Sequence, residues 1–325
     1  MEAKKNLSSV TMLRGIASLA VCVAHFTGTV QTKWMQETGQ FGTNGVYVFF
    51  VISGFIIPYA LYHSLYKVKN YPSFLVKRII RLDPPYLATI AIIFLLSWAA
   101  QLSPHHTTQA KELFTLNTLW HFFYLVDLKG GLWLNIVFWT LAIEFQYYLL
   151  IGLLYPLLVT TNTANRILLF AILCAVPFLL PDTKFVSGYM LPFLVGILLF
   201  WFKTKQLTKQ LFIFLLLIIT GLAFLKHGMG CVISLLFAIG FIQFVNKSFS
   251  PLIFLGTISY SLYLLHVPLG TDGFINFLQN YITSEGGRIW LMLAALPFII
   301  ICSWVFYLIL EKPSMKLAKK IKYKS

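Results

Sequence analysis

Residues 211–244 read LFIFLLLIITGLAFLKHGMGCVISLLFAIGFIQF, two apolar segments separated by Lys226, His227 and Gly228. A helix needs about 20 mostly apolar residues to cross the hydrocarbon core of a bilayer, and each segment approaches that length. The stretch therefore predicts either two membrane-spanning helices or one re-entrant hairpin.

The rest of the 325-residue chain has the same character. Over the whole chain, hydrophobic residues make up 58% and charged residues 11%, and the mean hydropathy is +0.80. A soluble fold of this composition would have too few charges to cover its surface. The formal net charge of +15 is therefore interpreted as a signal of membrane topology and not as a nucleic-acid surface.

Ten segments are predicted to span the membrane, which predicts an all-α polytopic transmembrane bundle. They are residues 9–31, 43–65, 84–103, 132–158, 166–181, 186–202, 210–226, 229–245, 250–270 and 288–310. An even number of spans puts both termini on one side, and the positive-inside rule makes that side cytoplasmic, since its segments then carry most of the 25 Lys and Arg residues.

We expect a single integral membrane domain over residues 1–325, with a first span that stays as a signal anchor. The segment 104–131 is predicted to lie along the outer interface as an amphipathic helix. Residues 312–325 are expected to form a basic cytoplasmic tail that is solvated or touches lipid headgroups. Four cysteines in apolar segments predict buried hydrophobic residues, with neither disulfides nor a zinc site. They are Cys22, Cys174, Cys231 and Cys302.

The first predicted span contains two ionisable residues, Arg14 and His25. Ionisable groups are costly in a bilayer, so each is a functional hypothesis by default. Their separation is about three helical turns, so both project from one face, roughly 16 Å apart along the axis. Arg14 is expected near the cytoplasmic end and His25 deep in the membrane. The alternative for His25 is a buried structural histidine that donates to a carbonyl.

Glu144 is a carboxylate inside the fourth predicted span. At that depth it would be protonated or paired, and His25, at comparable depth, is the expected partner. A carboxylate that orients an imidazole is the arrangement that a general base requires. The alternative is a structural carboxylate that only accepts hydrogen bonds.

Arg78 and Arg81 lie in a predicted cytoplasmic loop that ends at Pro84 and Pro85. Being three residues apart, they would project together on a helical turn and bind a phosphate group between them. A plain topology signal accounts for the same charges.

Small residues in the second and ninth predicted spans indicate close helix packing. They are Gly45, Ser53, Gly54, Gly256, Ser259 and Ser261. In the ninth span, a stripe more polar than packing requires contains Ser259, Tyr260, Tyr263 and His266. His266 is expected toward the outer end of the span, as a site residue or as an interfacial histidine.

Six short motifs, in order along the chain, resemble those of the acyltransferase 3 family of bacterial integral membrane proteins, which O-acylate surface polysaccharides and other extracytoplasmic acceptors. They are Arg14 to His25 within LRGIASLAVCVAHF, FFVISGF from Phe49 to Phe55, RIIRLDPPY from Arg78, WTLAIEFQYY from Trp139, SYSLYLLHVP from Ser259, and EKP from Glu311. Each motif alone is weak, but six in this order are specific. Thr140 and Tyr147 replace the usual Ser and Phe, which leaves the assignments of Trp139 and Glu144 standing. Some members carry a carboxyl-terminal hydrolase-like domain, and this chain resembles the stand-alone form.

The resemblance implies transfer of an acyl group, most often acetyl, from cytoplasmic acyl-CoA to a hydroxyl of an extracytoplasmic acceptor, expected to be a surface polysaccharide or a lipid-linked glycan. It also implies a bacterial cytoplasmic (inner) membrane location. The expected partners are the lipid bilayer and polysaccharide-assembly proteins, with no nucleic acid and no metal.

On this hypothesis, Arg14, Arg78 and Arg81 bind the phosphates of CoA. His25 is the general base or a transient acyl carrier, with Glu144 orienting its ring. Five further residues are candidates for binding the substrate or its oxyanion. They are Ser53, Trp139, Ser259, Tyr260 and His266.

A proton-coupled transporter or exporter is the main alternative, because buried His, Arg and Glu residues in ten spans also suit that function. It would be expected to show internal inverted repeats, and none is visible in the sequence. A lipid-linked sugar flippase or an assembly scaffold is a further alternative, which would leave Arg78, Arg81 and His25 individually dispensable.

Overall fold

The computed structural model describes residues 2–101, 116–180, 185–282 and 284–323, and this part of the chain is helical, without strands. Its α-helices are α1 (Glu2–Thr27), α2 (Lys33–Gln40), α3 (Gly45–His63), α4 (Tyr71–Gln101), α5 (Leu116–Phe122), α6 (Phe138–Leu158), α7 (Thr163–Leu179), α8 (Met190–Lys203), α9 (Lys209–Phe244), α10 (Ser250–Thr257), α11 (Ser259–Leu265), α12 (Phe277–Gln279), α13 (Glu285–Phe306) and α14 (Lys312–Lys320). Two π-helical segments, His266–Asn276 and Tyr307–Glu311, continue α11 and α13.

Six helical segments among the described residues are long and apolar enough to cross a membrane, or seven if α10 and the segment Ser259–Gln279, bent by 57°, form one span. The prediction of a helical membrane bundle is confirmed. The predicted count of ten treats the two parts of α9 as separate spans and includes α7 and α8, which are apolar but shorter. The placement of both termini in the cytoplasm stays a prediction.

Helix α9 breaks at Gly228, which has a φ of +78° and a ψ of −175°, a backbone conformation that favours glycine. Its first part begins beside the carboxyl end of α8, where two phenylalanine rings stack at 4.6 Å. The break lies at the other end of the bundle, where Gly230 packs against Asn44 at the start of α3. The chain then returns toward the amino-terminal half of α1, where the Phe249 N–H donates to the Met12 sulfur. We infer that the two parts of α9 run antiparallel.

Helices α3 and α8 approach each other closely at Gly54 and Gly196. A Cβ on Gly54 would overlap the Phe193 carbonyl, and one on Gly196 would overlap the Val51 carbonyl. The prediction of close helix packing at small residues is confirmed at three glycines, each of which faces the backbone of a neighbouring helix. They are Gly45, Gly54 and Gly256.

The predicted loop before residue 84 is wrong, because α4 is continuous from Tyr71 to Gln101 and includes Pro84 and Pro85. Membrane helices tolerate proline when neighbouring groups satisfy the freed backbone. The carbonyls that lose a donor here are those of Ile80 and Arg81, four residues before the prolines. The Tyr260 hydroxyl binds the backbone next to them, donating to the Leu82 carbonyl at 2.9 Å. The arginines predicted for a loop therefore lie on a helix.

Residues 312–323, the described part of the predicted carboxyl-terminal tail, are not freely solvated. Helix α14 packs on α4 with Ser314 and Ala318 buried. The Tyr323 ring contacts the Tyr66 ring at 5.6 Å, and the Lys77 ammonium lies 5.3 Å from its centroid. This segment is therefore part of the bundle.

The predicted interfacial helix at residues 104–131 falls partly outside the described residues, and within the described part α5 is a short helix. Of the four cysteines, Cys22, Cys174 and Cys231 are buried, as the sequence predicts, and Cys302 is partly buried.

Candidate active site

Two cavities lie one above the other in the bundle, and we call them inner and outer by their predicted distance from the cytoplasm. The inner cavity, of about 80 Å³, is lined by Arg14, Ser53, Arg78, Arg81, Glu144, Tyr148, Ser259 and Tyr260. The outer cavity, of about 370 Å³, is lined by His25, Gln40, Thr43, Asn44, Tyr47, Trp139 and Tyr189. Val46, Thr140 and Tyr263 line both cavities, so these three residues form the wall between them.

Helix α6 runs past both cavities and contributes side chains to each. Trp139 faces the outer cavity, Thr140 the wall and Glu144 the inner cavity. At 1.5 Å per residue, Glu144 lies about 6 Å below Thr140 along the helix axis.

The inner cavity collects three arginines, Arg14 from α1 and Arg78 and Arg81 from α4. Among the described residues, no carboxylate lies within 4.0 Å of any of these guanidinium groups. The Arg78 Nε is buried without a hydrogen-bond partner there, and the guanidinium lies 5.2 Å from the Phe74 ring centroid and 5.3 Å from that of Tyr148. Partly buried arginines without ion-pair partners are suited to binding an anion with several negative groups.

The predicted pairing of Glu144 with His25 is wrong. The Glu144 carboxylate accepts hydrogen bonds from the Ser53 hydroxyl, at 2.6 Å, and from the Tyr148 hydroxyl. His25 lines the other cavity, on the far side of the wall. Because Tyr148 is one helical turn from Glu144 on α6, the carboxylate finds its partner on its own helix and needs no imidazole.

The ring next to His25 is His266, with ring centroids 5.1 Å apart. His266 is fully buried, so the alternative of an interfacial histidine is wrong. Its Nδ1 lies 3.1 Å from the Leu262 carbonyl oxygen, and since a carbonyl only accepts, Nδ1 carries the proton. The Nε2 atom is buried and has no hydrogen-bond partner within the described part of the chain.

The residues predicted to bind the substrate or its oxyanion do not all lie in one cavity. Three of their hydroxyl groups, all in the inner cavity, donate elsewhere: Ser53 to Glu144, Ser259 to the Gly256 carbonyl, and Tyr260 to the Leu82 carbonyl. Trp139 lines the outer cavity together with His25. Of the five candidates, only Trp139 and His266 therefore lie near His25.

Sequence reasoning missed Glu311 and Tyr263 as site residues. Glu311 is buried, accepts from the Ser261 backbone N–H and hydroxyl, and lies within electrostatic range of Arg14. Its place in the sixth motif was the signal available. The Tyr263 hydroxyl donates to Thr140 at 2.7 Å, because Thr140 itself donates to the Val137 carbonyl.

Within the described residues, no group of three or more His, Cys, Asp or Glu side chains is placed to hold a metal ion. A family model described as an acyltransferase domain matches residues 7–308. Comparison with curated proteins and with solved structures finds no match. The part of the chain that the family model matches includes every residue that lines the two cavities.

Proposed function

The chain belongs to the acyltransferase 3 family, and from that premise we propose that it transfers an acetyl group from cytoplasmic acetyl-CoA to a hydroxyl of an extracytoplasmic acceptor. The family and the helical bundle make the chain a multi-pass membrane acyltransferase. The proposal adds the acetyl donor, the O-linked product, a glycan as the acceptor, polysaccharide-assembly proteins as partners and the bacterial inner membrane as the location.

The observation that carries the proposal is the pair of cavities with unlike chemistry, separated by one layer of side chains. The inner cavity is lined by guanidinium groups and the outer cavity by an imidazole, aromatic rings and amides. A transfer between substrates that arrive from opposite sides of a membrane needs two such compartments and a short path between them.

The inner cavity suits the donor, because CoA carries several phosphate charges and Arg14, Arg78 and Arg81 meet there. A volume of about 80 Å³ holds several water molecules but not an adenine nucleotide. We therefore propose that the nucleotide stays at the cytoplasmic mouth of the cavity, where the arginines bind its phosphates, and that only the thioester end of the pantetheine arm enters the cavity. The thioester then reaches the wall formed by Val46, Thr140 and Tyr263.

The outer cavity suits a sugar hydroxyl. Tyr47, Trp139 and Tyr189 offer ring faces, and Gln40 and Asn44 offer amide groups of the kind that fix the orientation of a polar ligand. Aromatic residues also gather at membrane interfaces as anchors. Here, however, they surround a cavity that contains His25, which favours recognition of a glycan.

In the proposed reaction, His25 takes the proton of the acceptor hydroxyl while the hydroxyl oxygen attacks the thioester carbonyl carbon. The new C–O bond forms, the C–S bond breaks, and the CoA thiolate takes the proton from the imidazolium. In the variant with a covalent intermediate, His25 nitrogen first displaces the thiolate, and the hydroxyl then displaces the imidazole. The Trp139 indole N–H is the proposed donor to the oxyanion.

The test is transfer of label from acetyl-CoA to native membrane material, measured for His25→Ala, Arg78→Ala and a control. We expect no transfer with His25→Ala, and transfer at raised acetyl-CoA concentration with Arg78→Ala. His63→Ala, an exposed histidine on α3, should behave like the wild type. Full activity of His25→Ala would overturn the proposal. A proton-coupled exporter would instead accumulate substrate without acetyl-CoA.

A further inference from the structure

His266 occupies a special place in the fold. It is the residue at which α11 ends and the π-helical segment His266–Asn276 begins. A π-helical turn changes the register of the side chains that follow it, and such turns are frequent at functional sites. The ring is fully buried and lies against the ring of His25 on α1.

The two ring nitrogens of His266 differ in their hydrogen bonding within the described residues. The Nδ1–H donates to the Leu262 carbonyl one turn back along α11, at 3.1 Å. The Nε2 lone pair is buried without a partner within the described residues. Burying an unpaired acceptor is costly, and a purely structural histidine anchored through Nδ1 would have no need to keep it.

Two rings contact His266. One is Tyr263, at 5.6 Å between centroids, and its hydroxyl already donates to Thr140. The other is His25, at 5.1 Å and tilted by 54°, which also lines the outer cavity. Of these two neighbours, His25 is the one whose ring can offer an N–H to the Nε2 atom, and its ring lies beside that of His266.

We propose that His266 is the positioning residue of the transfer, accepting at Nε2 the N–H of His25. This bond fixes the tautomer of His25 and leaves its other nitrogen with a free lone pair toward the acceptor hydroxyl. His266 thus takes the place that the sequence had assigned to Glu144. The inference rests on the proposed function, in which His25 receives the proton.

Every proton is accounted for in this mechanism. In the resting state, His25 carries one ring proton, shared with His266, and His266 carries its own on Nδ1. When the acceptor hydroxyl gives its proton to the free nitrogen of His25, the bond to His266 becomes charge-assisted and stronger. When the C–S bond breaks, that proton passes to the CoA thiolate and both rings return to their starting state.

Two variants distinguish this positioning role from a structural role, because each preserves the hydrogen bond of one ring nitrogen and removes that of the other. His266→Asn places an amide near the Nδ1 position and preserves the bond to Leu262. His266→Gln places an amide oxygen near the Nε2 position and preserves the acceptor for His25. The assay is transfer of label from acetyl-CoA to native membrane material, with kcat and the KM for acetyl-CoA measured separately, and Tm measured on the purified protein.

We expect His266→Asn to keep its Tm and its KM for acetyl-CoA and to lose roughly 10- to 100-fold in kcat, the worth of a hydrogen bond to a charged group. His266→Gln should recover most of that loss. A structural role predicts the reverse order, with Asn active and Gln impaired, and that result would overturn the inference. A changed KM with unchanged kcat would also overturn it.

A spectroscopic measurement decides the case if His266→Gln does not fold. The chain has 7 histidines, so the ring nitrogens of His25 can be assigned in ¹⁵N-histidine spectra by difference with His25→Ala. We expect one tautomer of His25 in the wild type and a mixture in His266→Asn. An unchanged tautomer in His266→Asn would refute the inference. An inactive His25→Ala with a fully active His266→Asn would refute this inference alone, whereas an active His25→Ala would refute the proposed function.

Discussion

The Ser53 hydroxyl on α3 donates a hydrogen bond of 2.6 Å to the Glu144 carboxylate on α6. Tyr148 donates to the same carboxylate, so Glu144 is held in the inner cavity, within electrostatic range of Arg14 and Arg78. A carboxylate in this position opposes the binding of an anionic donor and partly neutralises the arginines while the cavity is empty.

Glu144→Gln should therefore bind CoA more tightly than the wild type, on the order of tenfold. The amide oxygen still accepts from Ser53 and Tyr148, while the negative charge that repels the phosphates is gone. Titration calorimetry of the purified protein with CoA measures the change. Glu37→Gln, an exposed carboxylate on α2, is the matched control and should leave the Kd unchanged. Weaker binding by Glu144→Gln would contradict this account of the inner cavity.

Arg78→Ala should weaken CoA binding by roughly 10- to 100-fold, because it removes charge-assisted hydrogen bonds to phosphate. Arg78→Lys should recover part of the loss, since lysine supplies the charge but not the planar pair of donors. The Kd of the wild type should also rise with salt more steeply than that of Arg78→Ala. Lys33→Ala, on the exposed surface of α2, serves as the control. Equal affinity of Arg78→Ala and wild type would place the donor elsewhere.

Tyr263→Phe tests the wall between the cavities. It removes the hydroxyl that donates to Thr140 at 2.7 Å and changes little else in the shape of the ring. A neutral hydrogen bond contributes about 1 kcal/mol, so we expect roughly fivefold faster release of CoA from acetyl-CoA without acceptor, as water from the outer cavity reaches the thioester. Thiol release is followed with a chromogenic disulfide. An unchanged rate in both Tyr263→Phe and Thr140→Val would show that this bond does not close the path.

The membrane class and most helix positions could be predicted from the sequence, because contact with lipid requires an apolar residue at nearly every position of a span. The predicted span 43–65, for example, is α3. Helix starts were harder to locate. Helix α4 begins at Tyr71 and carries its arginines within the helix, whereas charges and two prolines resemble a loop when only the local sequence is considered.

Within the site, the residue types could be predicted but their pairing could not. Arg14, Arg78 and Arg81 meet as expected because α1 and α4 both face the inner cavity. The neighbour of His25 depends on the register of α11 at the point where the π-helical segment begins, at His266. No periodicity in the sequence gives that neighbour, since periodicity orients the residues of one helix and this contact joins α1 with the end of α11, far apart in the chain.

His121 should make the stability of the protein sensitive to acid. Its Nδ1–H donates to the Asn117 carbonyl and its Nε2 accepts from the Leu134 N–H, so the ring is neutral in the folded protein. Burial lowers its pKa below the ordinary value of 6.5, against a smaller opposing effect of the Asn117 bond. The unfolded chain thus binds this proton more readily, and the contribution of His121 to stability is present above about pH 6.5 and lost as the pH falls below it.

Thermal unfolding of the purified protein across this pH range measures the effect. His121→Gln keeps an acceptor for the Leu134 N–H but cannot be protonated, so its Tm should fall less between about pH 7 and pH 5 than that of the wild type. Parallel curves for the two proteins would show that another group governs the acid sensitivity.

Gly54→Ala and Gly196→Ala should each destabilise the bundle by about 1–3 kcal/mol, the usual cost of overpacking. The added methyl group meets backbone, the Phe193 carbonyl for Gly54 and the Val51 carbonyl for Gly196, so no side chain can rotate away and the helices must separate. Gly221→Ala and Gly240→Ala on α9 are the matched controls, because nothing lies within 4 Å of the Cβ that either would add. These controls should leave Tm unchanged or raise it slightly, since alanine favours the helix. If all four variants lowered Tm equally, loss of glycine flexibility and not the close approach of α3 and α8 would be the cause.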